Sequence, residues 1–130
     1  MILLDTHVVM WLASGDSRLS TRAQSVIHEA RQTVRGLAVS DFTLLELSQL
    51  FQKKHFHLTT DPEAFLAEIE RRFVILPITA NIALQAYALP ASYPKDPADR
   101  IIGATALVED MPLLTADRAI RNSKAVPTIW

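Results

Sequence analysis

The chain opens on Met1-Ile2-Leu3-Leu4-Asp5-Thr6, an apolar run too short for a helix that ends on a carboxylate. Such a run, bounded by polar residues, fits a strand buried on both faces of a parallel sheet. The pattern returns at Leu37-Ala38-Val39, at Val74-Ile75-Leu76, and within 112–115 and 126–130. Helical signals fill the intervals. Residues 7–12 form a short helix stopped by Ser14-Gly15-Asp16. Thr21 and Gln24 make a capping-box pattern for a helix carrying Ala23, Val26, Ile27, Ala30 and Val34 as far as Gly36. Ser40 caps a helix over 42–54, and Asp61-Pro62 begins one whose stripe is Phe65, Ile69 and Phe73. Thr79 caps a helix through Ala88, and 117–122 makes a brief last one. Residues 90–97, with three of the seven prolines, read as an extended loop, after which Asp96 and Pro97 start a helix running to Glu109. Strands alternating with helices predict a three-layer α/β/α sandwich with a mainly parallel central sheet, built as one domain over 1–130.

Composition narrows the chemistry. With 130 residues, 49% hydrophobic and 21% charged, the chain can bury a real core. It has no cysteine, so disulfides, thiolate nucleophiles and Cys-based zinc sites are excluded. There is neither a cleavable leader pattern nor an apolar stretch long enough to span a bilayer, so a cytoplasmic protein without a membrane partner is expected. A net charge of −1 offers no global positive field, and a nucleic-acid partner would need local basic patches. His55 and His57 lack metal-motif spacing and are assigned to a solvated helix end.

Acidic residues recur where parallel strands deliver side chains. Asp5 follows the first strand and Asp117 follows the run ending at Thr115. Sites in open parallel sheets form beyond these strand ends. Asp99 falls in the first turn of its helix, three residues after Asp96, where the helix dipole favours a carboxylate. Glu46 sits within Phe42-Thr43-Leu44-Leu45-Glu46-Leu47, apolar enough to face the core, so it should meet a cation or lose its charge. It is expected to be the most desolvated acid, with its pKa pushed up furthest. Four acids converging on one edge repel one another unless a cation neutralises them. A set of oxygen ligands without His or Cys suits Mg²⁺ or Mn²⁺, and such an ion serves phosphodiester hydrolysis.

These segments resemble those of PIN-domain nucleases, and among them the VapC-type toxins of bacterial toxin–antitoxin pairs. Residues 1–6 look like their opening strand, and Ser40 with Leu44-Leu45-Glu46-Leu47 is similar to the segment carrying their glutamate. Asp96-Pro97-Ala98-Asp99-Arg100-Ile101-Ile102-Gly103-Ala104-Thr105-Ala106 is the most diagnostic stretch, and Leu113-Leu114-Thr115-Ala116-Asp117 is similar to the last. The resemblance implies a metal-dependent endoribonuclease with Asp5, Glu46, Asp99 and Asp117 as an acidic tetrad. Asp5 and Asp99 would be direct ligands, with Glu46 and Asp117 holding waters or a second ion. Asp96 either joins the cluster or caps its helix. Thr6, Ser40 and Thr115 either bond the carboxylates or a phosphate, or cap local backbone. Arg100 either reaches the scissile phosphate or pairs with an acid.

The implied partners are RNA, a cognate antitoxin and a second copy of the chain. Candidate phosphate contacts are Arg31 and Arg35, Lys53 and Lys54, and Arg71 and Arg72. The helices over 42–56 and 65–73, rich in aromatics, are the expected protein-binding surface. A HAD-like phosphatase would need an acid at position 7, which is His, and a receiver domain would need an acidic pair ahead of Asp5. A catalytically inactive PIN-like binding module is the alternative from another class.

Overall fold

The computed structural model describes residues 1–34, 36–54 and 58–130. In chain order its elements are β1 (Ile2–Leu4), α1 (Thr6–Ser14), α2 (Thr21–Gln32), β2 (Leu37–Ser40), α3 (Asp41–Gln52) and α4 (Pro62–Arg72). There follow β3 (Val74–Leu76), α5 (Ala80–Ala88), α6 (Pro97–Val108), β4 (Leu113–Leu114), α7 (Arg118–Ser123) and β5 (Thr128–Ile129). The strands form one sheet in the order β3-β2-β1-β4-β5. Every neighbouring pair is parallel, with Leu3 opposite Ala38 on one side and Leu113 on the other. The order reverses beside β1, so the crevice past the carboxyl ends of β1 and β4 is the topological switch point where such sheets build sites.

Strand periodicity divides the core in two. Leu4, Val39 and Leu114 face the layer of α1 to α4, with Val9, Ile27, Leu47 and Ile69. Leu3, Ala38 and Leu113 face the opposite layer, with Tyr93, Ile102, Ala106 and Ile120. Each of these leucines is fully enclosed, and burial of such a side chain stabilises by about 1.5–3 kcal/mol. This is the α/β/α sandwich expected from the alternating runs. Its caps agree with the sequence at Ser40, Asp61, Thr79 and Asp96.

Two local expectations fail. Helix α2 is capped by Ser20, whose hydroxyl accepts from Ala23 N–H at 3.0 Å, and not by Thr21. A serine one residue earlier takes the cap, and Gln24 donates to the Leu19 carbonyl rather than closing a box. The helix also stops at Gln32, because Thr33 turns extended, and Val34 projects into solvent instead of continuing the stripe. The expectations for Arg35, His55, Phe56 and His57 lie outside the described residues.

Candidate active site

The acids meet at the switch point. Asp5, His7, Trp11, Glu46, Asp96, Asp99, Ala116 and Asp117 line one open cavity of about 380 Å³. Asp5 leaves the end of β1 in extended conformation at the N-cap of α1, but its side chain makes no capping bond. It instead accepts from the Thr115 hydroxyl at 2.7 Å, across the β1–β4 junction. The same hydroxyl accepts from Asp117 N–H at 3.1 Å, so Thr115 ties two of the acids together. Asp117 caps α7 through Ile120 N–H at 3.0 Å, and Asp96 caps α6 through Asp99 N–H at 3.2 Å. Capping therefore does not compete with membership of the cavity; Asp96 and Asp117 do both.

Glu46 reaches the site from α3. The Thr6 hydroxyl donates to it at 2.6 Å and lies 3.0 Å from the buried hydroxyl of Thr43. The partner that an acid in an apolar helix requires is thus a neutral donor, and the carboxyl also moves toward its neutral form. Burial raises its pKa first, the Thr6 bond opposes this, and the charges of Asp5 and Asp96 raise it further. Glu46 is nevertheless not the acid displaced furthest. Asp99 is pushed up to about 7 by burial and then by Asp5, Asp96, Asp117 and Glu46. Asp5, almost wholly enclosed, is also raised, with burial outweighing the opposing Thr115 bond and the attraction of His7. The sequence placed Glu46 among apolar neighbours, but Leu45 beside it is exposed and Thr6 supplies a direct donor.

Two of the residues expected to bind substrate point elsewhere. Ser40 is fully buried, and its hydroxyl accepts from Phe42 N–H at 3.2 Å to cap α3. Arg100 donates to the Ala86 carbonyl at 3.0 Å, tying α6 to α5 rather than entering the cavity. Arg31, Lys53, Lys54, Arg71 and Arg72 do not line the cavity either, and Arg71 and Arg72 both pair with Glu68 on α4. His7 and Trp11 also line the cavity, without having been expected there from the sequence. Their positions two and six residues after Asp5 on a helix that begins at the strand end were the available signal.

The donor set fits a hard divalent cation. It consists of carboxylate oxygens, and the charges that raise Asp99 are the repulsion a cation would relieve. Among the described residues no three His, Asp or Glu side chains form a ready-made ligand group.

A parallel α/β domain with carboxylates clustered at its switch point is an architecture that can hold a cation beside a bound substrate. The PIN domain family matches this chain over residues 2–125, and the chain belongs to that family. It is 34% identical to Ribonuclease VapC22 of Mycobacterium tuberculosis over 131 residues, covering 99% of this chain and 98% of that protein. Its fold is similar to a toxin–antitoxin complex from Klebsiella pneumoniae, with a TM-score of 0.72 and 23% identity over 100% of this chain and 97% of the other. It is also similar to VapBC2 from Rickettsia felis bound to a promoter DNA fragment, with a TM-score of 0.75 and 16% identity over 99% and 98%.

Proposed function

We propose that this protein is a divalent-metal-dependent endoribonuclease and the toxin of a toxin–antitoxin pair, with residues 1–130 forming one nuclease domain that acts in the cytoplasm. The observation that carries the reading is the convergence of Asp5, Glu46, Asp96, Asp99 and Asp117 on one cavity at the switch point of the sheet. Membership of the PIN family and the likeness to Ribonuclease VapC22 support RNA as the substrate.

Asp5 and Asp99 would hold a Mg²⁺ or Mn²⁺ ion directly, and Glu46 and Asp117 would hold waters or a second ion beside it. Asp96 holds the first turn of α6. When bound, the ion supplies positive charge to the phosphodiester and acidifies the attacking water. The hydroxyls of Thr115 and Thr6 keep the Asp5 and Glu46 carboxylates aimed into the cavity. Because bare carboxylates repel RNA, substrate affinity is strongly salt-dependent and rests on phosphate contacts beyond the lining.

The protein partners map to two surfaces. On α5, Leu84 and Tyr87 are 75% and 80% exposed one turn apart, and this apolar face is the homodimer surface. Of the aromatic residues expected at the protein-binding surface, Phe65 and Phe73 are buried and line a groove on the α4 face, and Phe51 packs on Phe65 at 5.1 Å. A groove of about 320 Å³ beside Val9, Leu12, Leu58, Phe65 and Ile69 receives an apolar segment of the antitoxin.

The deciding experiment incubates purified protein with RNA under Mg²⁺, Mn²⁺ or EDTA beside an Asp5→Asn control, and sequences RNA ends after brief induction in cells. Metal-dependent cleavage lost in Asp5→Asn is expected. Equal cleavage by the variant, or none by the wild type, would reject the assignment and favour an inactive binding module.

A further inference from the structure

Two observations outside the acid cluster meet at Asp99. Tyr93, in the loop that precedes α6, is 1% exposed within the core, and its hydroxyl donates to the Asp99 carbonyl at 2.6 Å. Gly103, one helical turn on from Asp99, leaves the ring its place: a Cβ there would stand 2.3 Å from the Tyr93 hydroxyl oxygen and 2.6 Å from the ring carbon bearing it. A side chain at position 103 therefore cannot coexist with the ring where it lies. The loop is itself set by a turn in which Tyr93 N–H donates to the Pro90 carbonyl at 3.0 Å.

The backbone of Asp99 is thus held from both sides by the same loop. Its N–H is bound by the Asp96 carboxylate at 3.2 Å, and its carbonyl by Tyr93. Helix formation does not require the second bond, since a helical carbonyl already has an acceptor role within the helix. What the bond fixes is the rotation and advance of the first turn, and with them the direction in which the Asp99 carboxylate leaves the backbone.

We propose that Tyr93, seated in the notch left by Gly103, is a positioning residue that fixes the Asp99 carboxylate for metal binding; this rests on the nuclease reading above. Carboxylates that repel one another need such a brace. Without it the first turn of α6 is free to swing Asp99 away from Asp5, and displacements of about 1 Å at a reacting centre cost on the order of 100-fold in rate. Supporting hydrogen bonds around metal ligands are typically worth about 10–100-fold in affinity or activity.

The test uses the full chain with Mn²⁺ alone as probe, read by the electron paramagnetic resonance signal of the free ion, beside RNA cleavage kinetics and thermal unfolding. Tyr93→Phe keeps the ring and removes only the hydroxyl. It is expected to weaken Mn²⁺ binding about tenfold and lower kcat by a similar factor, with KM for RNA unchanged. Gly103→Ala, which evicts the ring, is expected to do the same with a larger loss of melting temperature. The two variants are measured well below their melting temperatures, so a role in folding alone would lower Tm and leave Mn²⁺ affinity intact. That result, or wild-type affinity in both variants, overturns the inference while the nuclease reading stands. Wild-type Mn²⁺ affinity in Asp5→Asn overturns both.

Discussion

Replacing Asp99 with Asn should stabilise the metal-free protein at neutral and alkaline pH and destabilise it relative to wild type once Mn²⁺ is saturating. In the folded protein the Asp99 carboxyl titrates at about 7 against 3.8 for an unperturbed aspartate, through burial first and the charges of Asp5, Asp96, Asp117 and Glu46 after it. The folded chain therefore holds a proton that the unfolded chain has already released. The stability associated with that proton is fully present below pH 3.8 and is lost as the pH rises through about 7. At about 1.4 kcal/mol for each pH unit the interval corresponds to about 4 kcal/mol. Asp99 is only half-buried, so solvent screening reduces this to about 2 kcal/mol. The Asn variant carries no charge to repel and escapes the loss. Urea unfolding in EDTA, followed by circular dichroism from pH 4 to pH 8.5, should show the variant's advantage growing from near zero to about 2 kcal/mol. Adding Mn²⁺ at 100 times its Kd should stabilise wild type by about 2.7 kcal/mol and the variant by little, reversing the order. A difference that does not change with pH, or a variant less stable in EDTA at pH 8.5, would refute the account of Asp99 as an acid held against its neighbours.

Three further outcomes follow from the same geometry. Thr115→Val removes the 2.7 Å donor from buried Asp5, so Mn²⁺ affinity by titration calorimetry should fall about tenfold at pH 6.5 and recover partly at pH 8.5. Glu46→Gln should release fewer protons than wild type on Mn²⁺ uptake, because Glu46 is raised toward neutrality in the metal-free state; titrations in buffers of different ionisation enthalpy count them, and equal numbers would remove Glu46 from the cluster. Leu84→Glu with Tyr87→Glu should convert a dimer to a folded monomer in light scattering, since both side chains stand in solvent in the single chain; an unchanged mass would exclude α5 from the interface.

The features that the sequence displayed were those written in short-range pattern. Runs such as Leu37-Ala38-Val39 became strands because nothing else satisfies a brief apolar segment enclosed on both faces, and the side-chain oxygens of Asp61, Thr79 and Asp96 accept the backbone N–H bonds that local chemistry puts there. Asp5 and Asp117 were legible because strand ends and helix starts fix them. Glu46 was legible as an acid in an apolar helix, but its partner was not: Thr6 lies 40 residues away, and a hydroxyl donor leaves no charge signature in a sequence. Ser40 and Arg100 each had two uses open in the sequence, and the one outside the cavity prevails: Ser40 caps α3, as the sequence allowed, and Arg100 donates to the Ala86 carbonyl of α5, a partner no local pattern announces. Tyr93 and Gly103 carry no motif at all. Their meaning is a distance between a loop and a helix, which exists only after the chain has folded.

The arrangement also accounts for where the cost of a repelling cluster is carried. Asp5 and Asp117 lie beside strands whose leucines are fully enclosed, and Thr115 joins the two through one hydroxyl, so this half of the site is anchored to the most stable part of the molecule. Asp96 and Asp99 come from a loop and the first turn of a helix, where the backbone can yield to repulsion. It is on this half that the additional restraints accumulate: the Asp96 cap, the Tyr93 hydroxyl and the Arg100 bond to α5 all act within five residues of Asp99 or from the adjoining loop. Repulsion divided between a rigid half and a braced half is relieved by binding a cation rather than by moving apart, provided the bracing bonds outlast the unliganded state. Weakening any one of them should therefore show first as lost metal affinity and only later as lost fold.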